Sequence, residues 1–144
     1  MNTKDSENHR MTTWIESDMA YINTEINLED YVGFVYVIKE LDTGKLYYGI
    51  KKFWKIVKLK PLKGKKNKRH KVKETDWRTY KTSSPIMQEK LEENPCNYSC
   101  ELVELCKSVT EMKAIEAYLQ LKHYIEGDWD KLYNEVINLR MRIR

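Results

Sequence analysis

The clearest pattern along the chain is a pair of dense apolar runs. Residues 33–38, Gly-Phe-Val-Tyr-Val-Ile, are β-branched or aromatic after the glycine, and residues 45–50, Lys-Leu-Tyr-Tyr-Gly-Ile, repeat that character. Such runs favour extended backbone, and Gly44 near the end of the 39–44 connection suits a turn, so the spacing predicts a β-hairpin over residues 33–50. Further on, Ser83-Ser84-Pro85 reads as a helix start, with serine as cap and proline in the first turn. That helix continues through Ile86, Met87, Lys90 and Leu91 and stops near Asn94-Pro95. Residues 99–106 suit a third strand. Residues 110–126 form the best helix, with Thr110 as its cap. Met112, Ile115 and Leu119, and then Tyr118, Leu121 and Ile125, recur there at helical spacing, and Gly127-Asp128 ends it. Residues 133–139 read as a last short strand or an ordered tail. The predicted fold class is α+β: a small antiparallel sheet of about three strands flanked by helices.

Two stretches carry no clean period. Residues 1–30 read as a lead-in arm. Trp14, Ile15, Met19, Tyr21 and Ile22 there suit a short helix or a segment packing on the body. Residues 51–75 read as a loop marked by Pro61, Gly64 and many lysines. The remainder, residues 31–144, is expected to be a single domain, in keeping with a chain of 144 residues.

Charge changes the reading of that loop. Residues 51–73 hold twelve Lys or Arg and no acid, whereas the other 121 residues carry fourteen basic groups against twenty-two acids. A cationic segment on an acidic body, with Phe53 and Trp54 interleaved, points to a polyanion as partner. A solvated loop is the plainer alternative. No apolar run approaches the ~20 residues of a membrane span, and the polar first ten residues do not read as a secretory signal. The expected location is the cytoplasm. Cys96, Cys100 and Cys106, even with His123, match no common zinc spacing, and reduced thiols are expected.

The order of these features resembles the GIY-YIG nuclease family. Phe34-Val35-Tyr36 stands where that family has Gly-Ile-Tyr, with Gly33 just before it. Tyr47-Tyr48-Gly49 stands for Tyr-Ile-Gly. Glu116, within Ala114-Ile115-Glu116-Ala117-Tyr118, falls where the family has a metal-binding glutamate on a helix, and Tyr133-Asn134 matches a C-terminal Tyr-Asn. Gly33-Phe34-Val35-Tyr36, Asp76-Trp77-Arg78-Thr79-Tyr80 and Ser83-Ser84 look most like Seg-type putative homing endonucleases of bacteriophages, which would place the protein in a host cytoplasm. The resemblance covers residues 33–137. It departs in one respect: the family's arginine beyond the second triad has no counterpart in residues 51–59, which offer lysines instead. Arg69 and Arg78 come next.

The resemblance implies metal-dependent hydrolysis of DNA phosphodiesters. Glu116 would hold Mg²⁺ or Mn²⁺, since a hard cation can be held by one carboxylate and the substrate. Tyr36 would be a general base or a water-orienting group, its pKa lowered by a nearby cation, and Tyr47 would position phosphate or water. Lys51, Lys52 or Arg78 would offset developing charge, and Asn134 would fix geometry. DNA contact is expected from Lys52, Lys63, Lys65, Lys66, Lys68, Arg69 and Lys71. The alternative is a GIY-YIG fold that has lost its chemistry and serves as a DNA-binding or virion-associated protein. An RNA-binding module has no supporting motif. The oligomeric state is not legible.

Overall fold

The computed structural model describes the backbone of Ile15–Glu16 and residues 27–138 and 140–144. The elements are β1 (Ile15–Glu16), β2 (Gly33–Glu40), β3 (Leu46–Lys52), β4 (Trp54–Leu59), β5 (Arg69–Glu74), α1 (Pro85–Glu93), β6 (Tyr98–Cys106) and α2 (Val109–Glu126). The main sheet runs β1-β6-β2-β3. β2 is its centre, antiparallel to both β3 and β6. The two-residue β1 adds parallel to β6. This is the expected α+β architecture of three antiparallel strands and two helices. Of the predicted lead-in arm, Ile15–Glu16 and residues 27–30 are described, Leu28–Asp30 forming one 3-10 turn; the rest lies outside the described residues.

β2 reads as an unbroken apolar run because both faces of the sheet are covered there. Phe34, Tyr36 and Ile38 pack with Phe53, Trp77, Met87, Leu91 and Leu102 on one face. Val35 packs with Cys106 and Met112 on the other, beneath α2. The register of β2 against β6 shifts between Val35 and Tyr36, and such a bulge re-aims neighbouring side chains.

Local chemistry sets the helix ends. The Ser84 side chain accepts from the Met87 N–H at 3.4 Å, with Pro85 in the first turn. α2 begins one residue earlier than the apolar spacing suggests. Its cap is Ser108, not Thr110: the Ser108 hydroxyl accepts from the Glu111 N–H at 3.0 Å, and the Glu111 carboxylate accepts from the Lys107 N–H at 3.0 Å. Gly127 closes α2 at φ 82°, a left-handed conformation that favours glycine.

The basic segment departs from the expected loop. β4 and β5 pair antiparallel over six positions, Trp54↔Glu74 to Leu59↔Arg69, and only the connection between them is irregular. Ile56, Val57 and Val72 supply β propensity, but lysines interrupt the alternation that would have announced strands. The Trp54 indole anchors the hairpin by donating to the Tyr31 carbonyl at 3.0 Å. The Thr75 hydroxyl donates to the Lys52 carbonyl at 2.7 Å.

The chain end makes no strand among the described residues. It lies as an ordered tail along the outer edge of β3. Leu132 bridges Leu46, and the Tyr133 N–H donates to the Leu46 carbonyl at 2.7 Å. No helix among the described residues is long and apolar enough to cross a membrane.

Candidate active site

Side chains two apart on a strand share a face, so Tyr47, Gly49 and Lys51 form a row on β3. Their partners on β2 are Ile38, Tyr36 and Phe34. The Tyr36 ring lies directly over Gly49, and a Cβ at that position would overlap its Cζ and hydroxyl. Glycine is therefore what lets the Tyr36 hydroxyl reach the outer strand of the sheet. The ring centroids of Tyr36 and Tyr47 are 6.4 Å apart, and Tyr80 meets Tyr36 edge-on at 6.2 Å. The Tyr36 hydroxyl donates to the Thr82 hydroxyl at 3.3 Å. Thr82 is buried and also accepts from the Ser84 N–H at 3.2 Å.

These surroundings keep the tyrosines neutral. Burial pushes the Tyr36 hydroxyl well above its ordinary value of 10, and Tyr80 and Tyr47 add to this while Thr82 opposes it. The expectation that a cation lowers the Tyr36 pKa is thus reversed: desolvation outweighs every other influence, and the phenolate is disfavoured. Tyr47 is raised too, by burial first and then, after the opposing hydrogen bond of Thr82, by the negative charge of Glu116.

Glu116 comes from α2, and its charge is felt at Tyr47. Its carboxyl is half-buried and its pKa is raised by desolvation. Among the described residues, no side chain or backbone group hydrogen-bonds or ion-pairs with it. Nor is there, among those residues, a group of three His, Cys, Asp or Glu that could hold a metal. The cysteines are free thiols, and burial pushes Cys106 up to about 12.

The cations divide between two places. Lys51 is on the tyrosine side: its ammonium lies 3.9 Å from the centre of the Tyr80 ring and 2.8 Å from Asp76. Arg78 is engaged elsewhere, bonded to Glu74 at 2.9 Å and stacked 4.5 Å over Trp77. Lys52 projects to the opposite face from Lys51. Lys63, Lys65, Lys66, Lys68, Arg69 and Lys71 are all exposed on the hairpin or its connection.

Asn134 acts as a backbone substitute. Its side-chain oxygen accepts from the Tyr48 N–H and its amide donates to the Tyr48 carbonyl, both at 2.9 Å. The tail it clamps walls a groove of about 270 Å³ lined by Tyr47, Ser84, Met87, Tyr133 and Asn134 among others. Behind it, Tyr48 points to the other face, where its hydroxyl lies 3.1 Å from His123 Nε2, and His123 Nδ1 lies 3.0 Å from Asp128.

The family described as "Putative endonuclease segE, GIY-YIG domain" matches residues 14–137. The chain belongs to the GIY-YIG family. The match begins ahead of the first triad and takes in β1, further than the motifs themselves reach. Searches of curated proteins and of solved structures find no match. Within this GIY-YIG domain the two triads lie on adjacent strands of one hairpin, and Tyr36 and Tyr47 share a face while Tyr48 takes the other. Tyr80, Thr82 and Ser84 belong to the same cluster; Tyr80 and Ser84 stand within the Seg-type motifs without a site role assigned to them, and Thr82 falls outside those motifs. The run of hydroxyl residues 82–84 ahead of Pro85 was the available signal, but it accounts for itself as a helix cap.

Proposed function

We propose that this GIY-YIG domain is a metal-dependent DNA endonuclease. The observation that carries the reading is the state of Glu116: a carboxylate drawn partly out of water, accepting no hydrogen bond from the described residues, and near enough to raise the Tyr47 pKa. A half-buried charge without a partner costs free energy, and a hard cation is a fitting counterpart for it. Mg²⁺ or Mn²⁺ at Glu116 would, when bound, neutralise phosphate charge and polarise a water. The protein's own groups would then orient and stabilise. Tyr47, half-buried and lining the groove, would donate from its hydroxyl to a phosphate oxygen. Tyr36, kept protonated by burial, orients water through the Thr82–Tyr47 network and does not serve as the base. Lys51, paired with Asp76 at 2.8 Å in the free protein, would leave that carboxylate to oppose charge developing on the phosphate. Asn134 holds the tail that walls the groove. The cationic hairpin and its connection grip the DNA backbone.

One observation favours the second reading, a DNA-binding or virion-associated protein without catalysis. Arg78, the arginine within the Seg-type motif, is committed to Glu74 and Trp77. A plasmid-nicking assay with Mg²⁺ or Mn²⁺ separates the two. Wild type should nick, and Glu116→Gln should lose at least about 100-fold in rate while binding DNA as before. Wild type that binds but never nicks would establish the second reading.

A further inference from the structure

The β4–β5 hairpin sorts its charge by face. Paired residues of an antiparallel hairpin lie on the same side, and successive pairs alternate. One face carries Lys55 opposite Lys73, Val57 opposite Lys71, and Leu59 opposite Arg69. The other carries Trp54, Ile56, Lys58, His70, Val72 and Glu74. All four cations of the first face are exposed, that face has no acid, and among the described residues none of the four has an ion pair. On the second face Trp54 is bonded to Tyr31 at the hairpin's root, while Ile56 and Val72 beyond it are exposed. Like charges directly opposite one another, as at Lys55 and Lys73, destabilise a strand pair. Asp76, just past β5, lies close enough to Lys55 to feel its charge, but nothing within the hairpin compensates Lys73, Lys71 and Arg69. An anion from outside would.

Resting on the nuclease reading, we infer that this hairpin enters the major groove of duplex DNA as a two-stranded ribbon, with Lys55, Arg69, Lys71 and Lys73 facing the nucleic acid. Shape and charge agree on this partner. The major groove of B-form DNA is about 12 Å wide and admits a two-stranded ribbon, whose strands lie about 4.8 Å apart. Arg69, Lys71 and Lys73 recur along β5 at steps of about 6.7 Å, two base-pair rises of about 3.4 Å each. The deep, narrow major groove of A-form RNA excludes such a ribbon.

The test is binding in EDTA, where cleavage has no part in the readout. A 20-base-pair DNA duplex, an RNA duplex and a single strand of the same sequence are titrated by fluorescence anisotropy at several salt concentrations. Wild type should bind the DNA duplex at least tenfold more tightly than either alternative and should protect guanine N7 from dimethyl sulfate. The variant Lys55→Gln/Arg69→Gln/Lys71→Gln/Lys73→Gln should lower the slope of log K against log salt by about 3 to 4 with an unchanged circular dichroism spectrum. Lys58→Gln, on the opposite face, should lower it by no more than about 1. Equal affinity for the RNA duplex or the single strand, unprotected N7, or an unchanged slope in the fourfold variant overturns the ribbon. A protein that nicks plasmid while the fourfold variant keeps its slope loses only this inference. A protein that binds through this face but never nicks loses only the endonuclease reading.

Discussion

Glu40, at the end of β2, is almost wholly removed from water and accepts hydrogen bonds from Thr43, from Tyr98 at 2.7 Å and from Tyr133 at 2.9 Å. Glu116, on α2, is less buried and receives none from the described residues. The two carboxylates therefore move in opposite directions. Three hydroxyl donors, Thr43 first among them, hold Glu40 below its ordinary value of 4.5 against the opposing effect of burial. Burial alone lifts Glu116 above the same value. The acid with less surface exposed is the more comfortable one. Burial sets the penalty for a charge, but partners decide whether it is met. Glu40 is a latch: through Tyr133, whose ring also lies beneath Lys45 at 5.3 Å and Lys90 at 5.0 Å, it fastens the tail that carries Asn134. Glu116 has no such structural employment.

The largest effect on stability should come from breaking the latch. Glu40→Ala strands three hydroxyls in a crowded corner and should cost about 3 kcal/mol, a melting temperature lower by roughly 10 °C. Because the Glu40 pKa is lower in the folded chain, its contribution is complete above pH 4.5 and disappears as the pH falls through the folded value. Denaturant titrations at pH 6 and at pH 3 should show this loss in wild type and a smaller one in Glu40→Gln. Next in size is Gly49→Ala, which sets a methyl group against the buried Tyr36 ring. It should cost about 2 kcal/mol and separate Tyr36 from Thr82. Smallest is Glu116→Gln. Its folded pKa is raised, so ionisation of Glu116 opposes folding as the pH rises from 4.5 through the folded value. Removing that charge should be neutral or stabilising, within about 1 kcal/mol at pH 7. A loss of 2 kcal/mol or more on chemical denaturation would make Glu116 a second latch.

Legibility in the sequence followed the same division. The β2–β3 hairpin was readable because both faces of β2 are buried, which leaves a dense apolar run. The β4–β5 hairpin was not, since lysines occupy the positions where strand alternation would have shown. Glu116 stood out as an acid among apolar helical residues, a mismatch that sequence exposes. Glu40 did not, because it falls in the turn region of the first hairpin, where a charged residue needs no explanation. Its partners Tyr98 and Tyr133 lie 58 and 93 residues away. Thr82 was hidden for the same reason: its bond to Tyr36 spans 46 residues. Arg78 had the right residue type, but Glu74, one helical turn before it in the sequence, claims it.

Both acids can be followed in one experiment, a carbon-13 titration of the side-chain carboxyls with and without Mg²⁺. The expected result is a Glu116 midpoint above 4.5 and a Glu40 midpoint below it, with Mg²⁺ lowering the first and leaving the second in place, since a bound cation favours the ionised carboxylate. Midpoints on the same side of 4.5, or a Glu116 resonance that Mg²⁺ does not move, would contradict the assignment of Glu116 as the carboxylate kept free for a metal.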